Sequence, residues 1–191
     1  MALPEIEFEL TSEQYELLGY PVLTQGHPMA LVLEVGVLLP DVDADGWFAV
    51  QKAPLPPQLV RVGPATYAFS GQIVEAELFD DDGDESAILL VECGTTVLRV
   101  TCGPDDDGRL PYGAWETRYL SGIGRLRGIL EEDFSTAIGQ AVGATVWGVR
   151  RLVLTPGDPY FGQWFESHEL QPTPFEHDLV LITARLHRQK I

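Results

Sequence analysis

Ala87-Ile88-Leu89-Leu90-Val91-Glu92-Cys93-Gly94-Thr95-Thr96-Val97-Leu98-Arg99-Val100-Thr101-Cys102 reads as two strands joined by a two-residue turn. Period-two alternation puts Ala87, Leu89, Val91, Leu98 and Val100 on one face, with Glu92 and Arg99 on the other. Gly94 takes the first central turn position, as a type II′ hairpin prefers. This register sets Cys93 opposite Thr96 and Cys102 opposite Ala87. The two sulfurs are then about 20 Å apart by strand rise, far beyond the roughly 7 Å Cα limit for a bridge. Both cysteines are therefore expected as free, buried thiols, which fits a reducing cytoplasm.

The same pattern extends on both sides of the hairpin. Downstream and upstream, Phe69 to Phe79, Glu116 to Leu130, Thr145 to Leu154 and His177 to His187 read as strands, as does Glu5 to Leu10. Met29 to Leu39 is a nearly continuous apolar run stopped by Pro40, which suits a strand covered on both faces. Trp47 to Gln51 and Leu59 to Val62 continue the series. Only two candidate helices break it: Thr11 to Gly19, which opens on a capping-box spacing, and Asp133 to Gly143. Gly122, Gly124 and Gly128 share one side of their strand, where missing side chains allow a bend or a close backbone approach. The expected fold is all-β and mainly antiparallel, a barrel or sandwich with at most two short helices, with an OB-like barrel as one form.

A chain of 191 residues with 45% hydrophobic content can close one core, so residues 1–191 are expected as a single domain. Pro54, Pro56 and Pro57 make a stiff internal connection near residues 53–66. No apolar run approaches the roughly 18 to 20 residues of a membrane span, and the start lacks the basic and apolar regions of an export leader. The expectation is a cytoplasmic protein with no membrane partner.

Charge is the strongest compositional signal: 29 acids against 12 Lys and Arg, a net of −17. Residues 1–107 carry −17 by themselves, while residues 108–151 carry +2 and residues 152–191 carry −2. Nucleic acid is not an expected partner, because phosphate binding needs clustered cations. Glu5, Glu7 and Glu9 alternate with Ile6, Phe8 and Leu10, so the three carboxylates are expected to project together from one strand face. They are candidate contacts for a basic partner. Asp80-Asp81-Asp82-Gly83-Asp84-Glu85 and Asp105-Asp106-Asp107-Gly108 flank the hairpin at the same end and are expected as solvated loops.

Asp41-Val42-Asp43-Ala44-Asp45-Gly46 reproduces the opening of an EF-hand loop, but the position that should supply a bidentate Glu is Lys52. Asp41, Asp43 and Asp45 stand as a candidate calcium loop of another kind, set against an ordinary turn. No nucleophile elbow, zinc-protease helix, phosphate loop or Cys-x-x-Cys is present, so no catalytic residue and no cofactor is assigned. Of the four histidines, His177 and His187 lie about 33 Å apart on one strand by standard rise, leaving His168 and His177 as the single pair that could share a metal.

Tyr160-Phe161-Gly162-Gln163-Trp164-Phe165 sets four aromatics between proline-bounded segments. They either cover a barrel mouth or form a partner hot spot. Arg125, Arg127, Arg150 and Arg151, with Tyr160 and Trp164, could together serve an anion or a small ligand. The leading expectation is a non-catalytic acidic protein that binds a basic protein partner, as an inhibitor or toxin-neutralising protein does. A small-ligand or anion-binding β-barrel is the alternative, and an enzyme of unassigned class comes third.

Overall fold

Strands make up most of the described residues, which in this computed structural model are 5–11, 22–38, 47–104, 107–110, 118–130, 138–139, 141–170 and 177–187. In chain order the strands are β1 (Glu5–Leu10), β2 (Leu23–Thr24), β3 (Pro28–Leu38), β4 (Trp47–Gln51), β5 (Gln58–Gly63), β6 (Thr66–Asp81) and β7 (Asp84–Cys93). They continue with β8 (Thr96–Cys102), β9 (Tyr119–Leu130), β10 (Val142–Leu152), β11 (Trp164–Ser167), β12 (Glu169–Leu170) and β13 (Leu179–Leu186). No helix occurs among the described residues. The candidate helix at Thr11 to Gly19 lies almost wholly outside them. Of the second, Val142 and Gly143 open β10 instead of closing a helix.

Two compact units divide the chain: Met1–Leu31 with Gly128–Asp133 and Ala141–Ile191, and Val32–Arg127 with Phe134–Gln140. Strands β3 and β9 run through both. In the first unit β11, β10, β13 and β1 pair in that order, all antiparallel, and β10 also pairs with the start of β3 through Val142 and Leu31. In the second, β7 pairs with β6 and β8, β5 and β9 pair with β6, β4 pairs with β9, and β3 lies parallel to β8. The pairing order closes on itself twice, as β10-β13-β1-β9-β3-β10 and as β9-β3-β8-β7-β6-β9. This is an all-β barrel architecture, mainly antiparallel.

The hairpin register holds residue for residue, with Cys93 opposite Thr96 and Ala87 opposite Cys102. Gly94 has φ +80° and Thr95 has no positive φ, the type II′ signature. Leu89, Val91, Leu98 and Val100 are fully buried, and both cysteines are free and buried. Burial pushes each thiol up to about 12, with Glu92 adding to the effect at Cys93.

Ile6, Phe8 and Leu10 enter the first unit's core, and Phe8 packs where a Cβ on Gly128 would stand, so the bare glycine admits the ring. The expected apolar strand at Leu59 to Val62 is β5, but it is an edge strand, and its Val60 and Val62 side chains are exposed. Pro54, Pro56 and Pro57 join β4 to β5 inside the second unit and do not mark the division between units.

Candidate functional site

The first unit gathers several of the singled-out residues on the sheet face opposite the core. Antiparallel register sets Glu5 beside Arg185, Glu7 beside Thr183 and Glu9 beside Leu181. On the next strand Thr145 faces Arg185, Gly148 faces Thr183 and Arg150 faces Leu181, while Arg150 also faces Glu166 on β11. Arg150 crosses β13 to place Nη1 3.1 Å from Glu7 Oε2, and its guanidinium lies 4.6 Å from the Trp164 ring centroid. Arg185 repeats the arrangement, with Nε 3.0 Å from Glu5 Oε1 and its guanidinium 3.3 Å from the Trp147 ring centroid. Two Glu-Arg-Trp stacks therefore stand side by side.

This corrects the expectation of a free acidic face on β1. Glu7 is only 2% exposed. The strand's local composition is acidic, but the compensating arginines come from the far end of the chain.

Arg150 and Arg151 are neighbours on β10 and so point to opposite faces. Arg151 Nε lies 2.5 Å from Asp178 Oδ2, while Oδ1 of Asp178 accepts bonds from the Leu154 N–H, the Thr155 N–H and the Thr155 hydroxyl at 2.9 to 3.0 Å. Burial pushes the Asp178 carboxyl up, but the bonds from Leu154, Arg151 and Thr155 outweigh it and hold the group below the usual carboxylate range. Asp178 is thus the anchor that fixes the start of the aromatic segment. Beyond it Tyr160 and Phe165 meet edge to face at 5.6 Å, yet Tyr160, Phe161, Trp164 and Phe165 all stay exposed. None of the four rings is buried in the core.

Arg125 and Arg127 belong to the other unit, on β9, and are exposed. Arg127 approaches Gly36 and acts electrostatically on Glu34, whose main ion pair is with Arg99 Nε at 2.8 Å. Burial pushes the Glu34 carboxyl up despite Arg99, Thr101 and Arg127. These contacts of Arg127 lie within the second unit, and the ion pairs of Arg150 and Arg151 lie within the first. His168 and His177 are both exposed, and no group of three metal-ligating side chains occurs among the described residues. Asp41, Asp43 and Asp45 lie outside the described residues.

The second unit holds a feature that sequence reasoning missed. Asp80, Asp81, Asp84 and Glu85 were expected in a loop, but β6 continues to Asp81 and β7 begins at Asp84. The turn is Asp82-Gly83 alone, with φ of 54° and 96°, the type I′ combination. From Ile73 to Asp81, β6 has registered pairing with β7 only and is a sheet edge, while β7 is also paired with β8 from Ala87 to Cys93, so Phe79–Asp81 and Asp84–Ser86 alone extend past β8 as a two-stranded arm. At its tip Asp80 faces Glu85 and Asp81 faces Asp84. Directly opposed like charges weaken a hairpin. Glu75 and Glu77 follow toward the base, and no Lys or Arg occurs between Arg61 and Arg99. Among these carboxylates Val74, Leu78 and Phe79 are exposed, Leu78 at 60%.

The tip also meets the second acidic segment, as its placement beside the hairpin implied. The Glu85 N–H donates to Gly108 O at 2.7 Å, and the Leu110 N–H donates to Glu85 Oε2 at 3.1 Å. Asp105 and Asp106 lie outside the described residues. The signal that could have found the arm was the Asp-Gly dipeptide flanked by strand residues, a type I′ hairpin mark. No protein-family model, curated protein or solved structure matches this chain.

Proposed function

We propose that the protein is a non-catalytic interaction protein that binds a basic protein partner through the β6–β7 arm. The observation that carries this reading is the tip itself: two facing carboxylate pairs beside exposed Leu78 and Phe79. Asp80 and Glu85 each accept one backbone hydrogen bond, from the Gly83 and Leu110 N–H, but like charges still repel across the ladder and the apolar side chains stay in water. A cationic, partly apolar surface laid on the arm offsets the repulsion and buries Leu78 and Phe79. Complementary charge would also speed encounter. The anion-binding alternative has weaker support, because Arg150 and Arg151 are paired with Glu7 and Asp178.

The reading is tested by immobilising the wild-type chain and a variant with Asp80→Asn, Asp81→Asn, Asp84→Asn and Phe79→Ser, and passing an extract of the source cells over both at low salt. The expected result is a protein of high isoelectric point that is retained by the wild type, released by added salt and lost on the variant. An identical set of retained proteins on the two surfaces would refute the proposal.

A further inference from the structure

The first unit carries a cleft of about 300 Å³ on the sheet face away from its core, lined by Trp147, Gly148, Arg150, Glu166, His168 and Thr183. We propose that it binds a neutral, hydroxyl-rich ring, a single sugar residue. The floor is made by sequence. A β-bulge between Val146 and Gly148 brings Trp147 out of register, and bulges of this kind re-aim a side chain. Gly148 puts no side chain into the lining, and a Cβ there would meet nothing within 4 Å.

The walls determine the ligand class. Arg150 is bonded to Glu7 and faces Glu166, so a bound anion would meet a carboxylate and an already compensated guanidinium. A cation would meet Arg150 itself and, at the indole, the Arg185 guanidinium stacked on it. A neutral ligand avoids both conflicts. The polar groups present include a donor-only guanidinium, an acceptor-only carboxylate and the dual-purpose Thr183 hydroxyl, with an imidazole beside them. Sugar hydroxyls, which both donate and accept, match that mixture, and the part of the Trp147 ring that Arg185 leaves exposed offers an amphipathic surface against which the C–H side of a pyranose can lie. The volume stands at the lower end of small-molecule sites, about 300–1,000 Å³, as one ring requires. This site and the acidic arm lie in different units, and neither proposal depends on the other.

The test is a titration of the full chain, followed by tryptophan fluorescence, with glucose, galactose, mannose, N-acetylglucosamine and disaccharides of each, with adenosine as a flat heterocyclic control. At least one sugar should give a saturable change. Its Kd should rise tenfold or more, about 1.4 kcal/mol, in Trp147→Ala and in Gly148→Leu. Gly148→Leu should keep the wild-type unfolding midpoint, because its Cβ enters open space. No saturable response to any sugar would overturn the proposal, as would unchanged sugar binding by Gly148→Leu or tighter binding of adenosine than of every sugar.

Discussion

Arg150 Nη1 donates to Glu7 Oε2 at 3.1 Å across a sequence separation of 143 residues, and it does so from beneath the Trp164 ring. The carboxylate is buried while the guanidinium is partly exposed, so removing either partner leaves the two groups in unequal positions. Loss of Arg150 takes an ion pair from a charge that water does not reach. Loss of Glu7 leaves an arginine that can still reach solvent.

The Arg150–Glu7 and Arg185–Glu5 ion pairs should therefore differ sharply in stability assays. Arg150→Ala is expected to cost about 2–4 kcal/mol, since it takes the Arg150 ion pair from a buried carboxylate. Glu5→Ala breaks an ion pair whose members are both well exposed and should cost no more than about 1 kcal/mol. Urea denaturation of the two variants measures the contrast, and equal losses would contradict it. Reversing Glu5, Glu7 and Glu9 together should unfold the first unit, contrary to what a fully exposed acidic strand would tolerate.

Asp178 makes acid stability specific. Its folded pKa lies below the unfolded value, so its contribution is present above the ordinary carboxylate pKa, near 3.9, and is lost as pH falls through the lower folded value. Asp178→Asn should lower the melting temperature at pH 7. The difference from wild type should shrink steadily as pH falls below about 4. A gap that stays constant down to pH 2 would show that the carboxylate charge is not what anchors Thr155.

The β7–β8 thiols should be inert in the folded chain. Burial pushes both up to about 12, so almost no thiolate exists at pH 8. A colorimetric disulfide reagent should react with neither Cys93 nor Cys102 under native conditions and with both in denaturant.

What the sequence disclosed, and what it concealed, follows from the range of the interactions. The β7–β8 register was legible because a two-residue turn fixes pairing locally, and the alternation around Gly94 left one choice of buried face. The burial of Glu7 was not legible. Its partner is brought by β10 across β13, and nothing in Glu5 to Leu10 announces that arginine. The arm was hidden for a different reason: a run of aspartates has low strand propensity, and here pairing with β7 overrides it up to the Asp82-Gly83 turn. The four arginines seemed to form one basic stretch, but strand alternation sends Arg150 and Arg151 to opposite faces.

The apolar part of the arm should be dispensable for folding. Leu78 and Phe79 are exposed, so replacing both with Ser should change stability by no more than about 0.5 kcal/mol in each case. Retention of the basic partner should nevertheless weaken. A large stability loss would mean that the two side chains pack in the monomer and are not held for a partner.

The most direct test of the central claim is the association rate of the purified basic partner with the wild-type chain and with Asp80→Asn/Asp81→Asn/Asp84→Asn, measured from about 20 to 300 mM salt. At low salt the wild type should associate at least tenfold faster than the variant, and its advantage should fade as the Debye length contracts below about 10 Å. Equal rates for the two chains, unmoved by salt, would show that the arm's acidity has no part in binding.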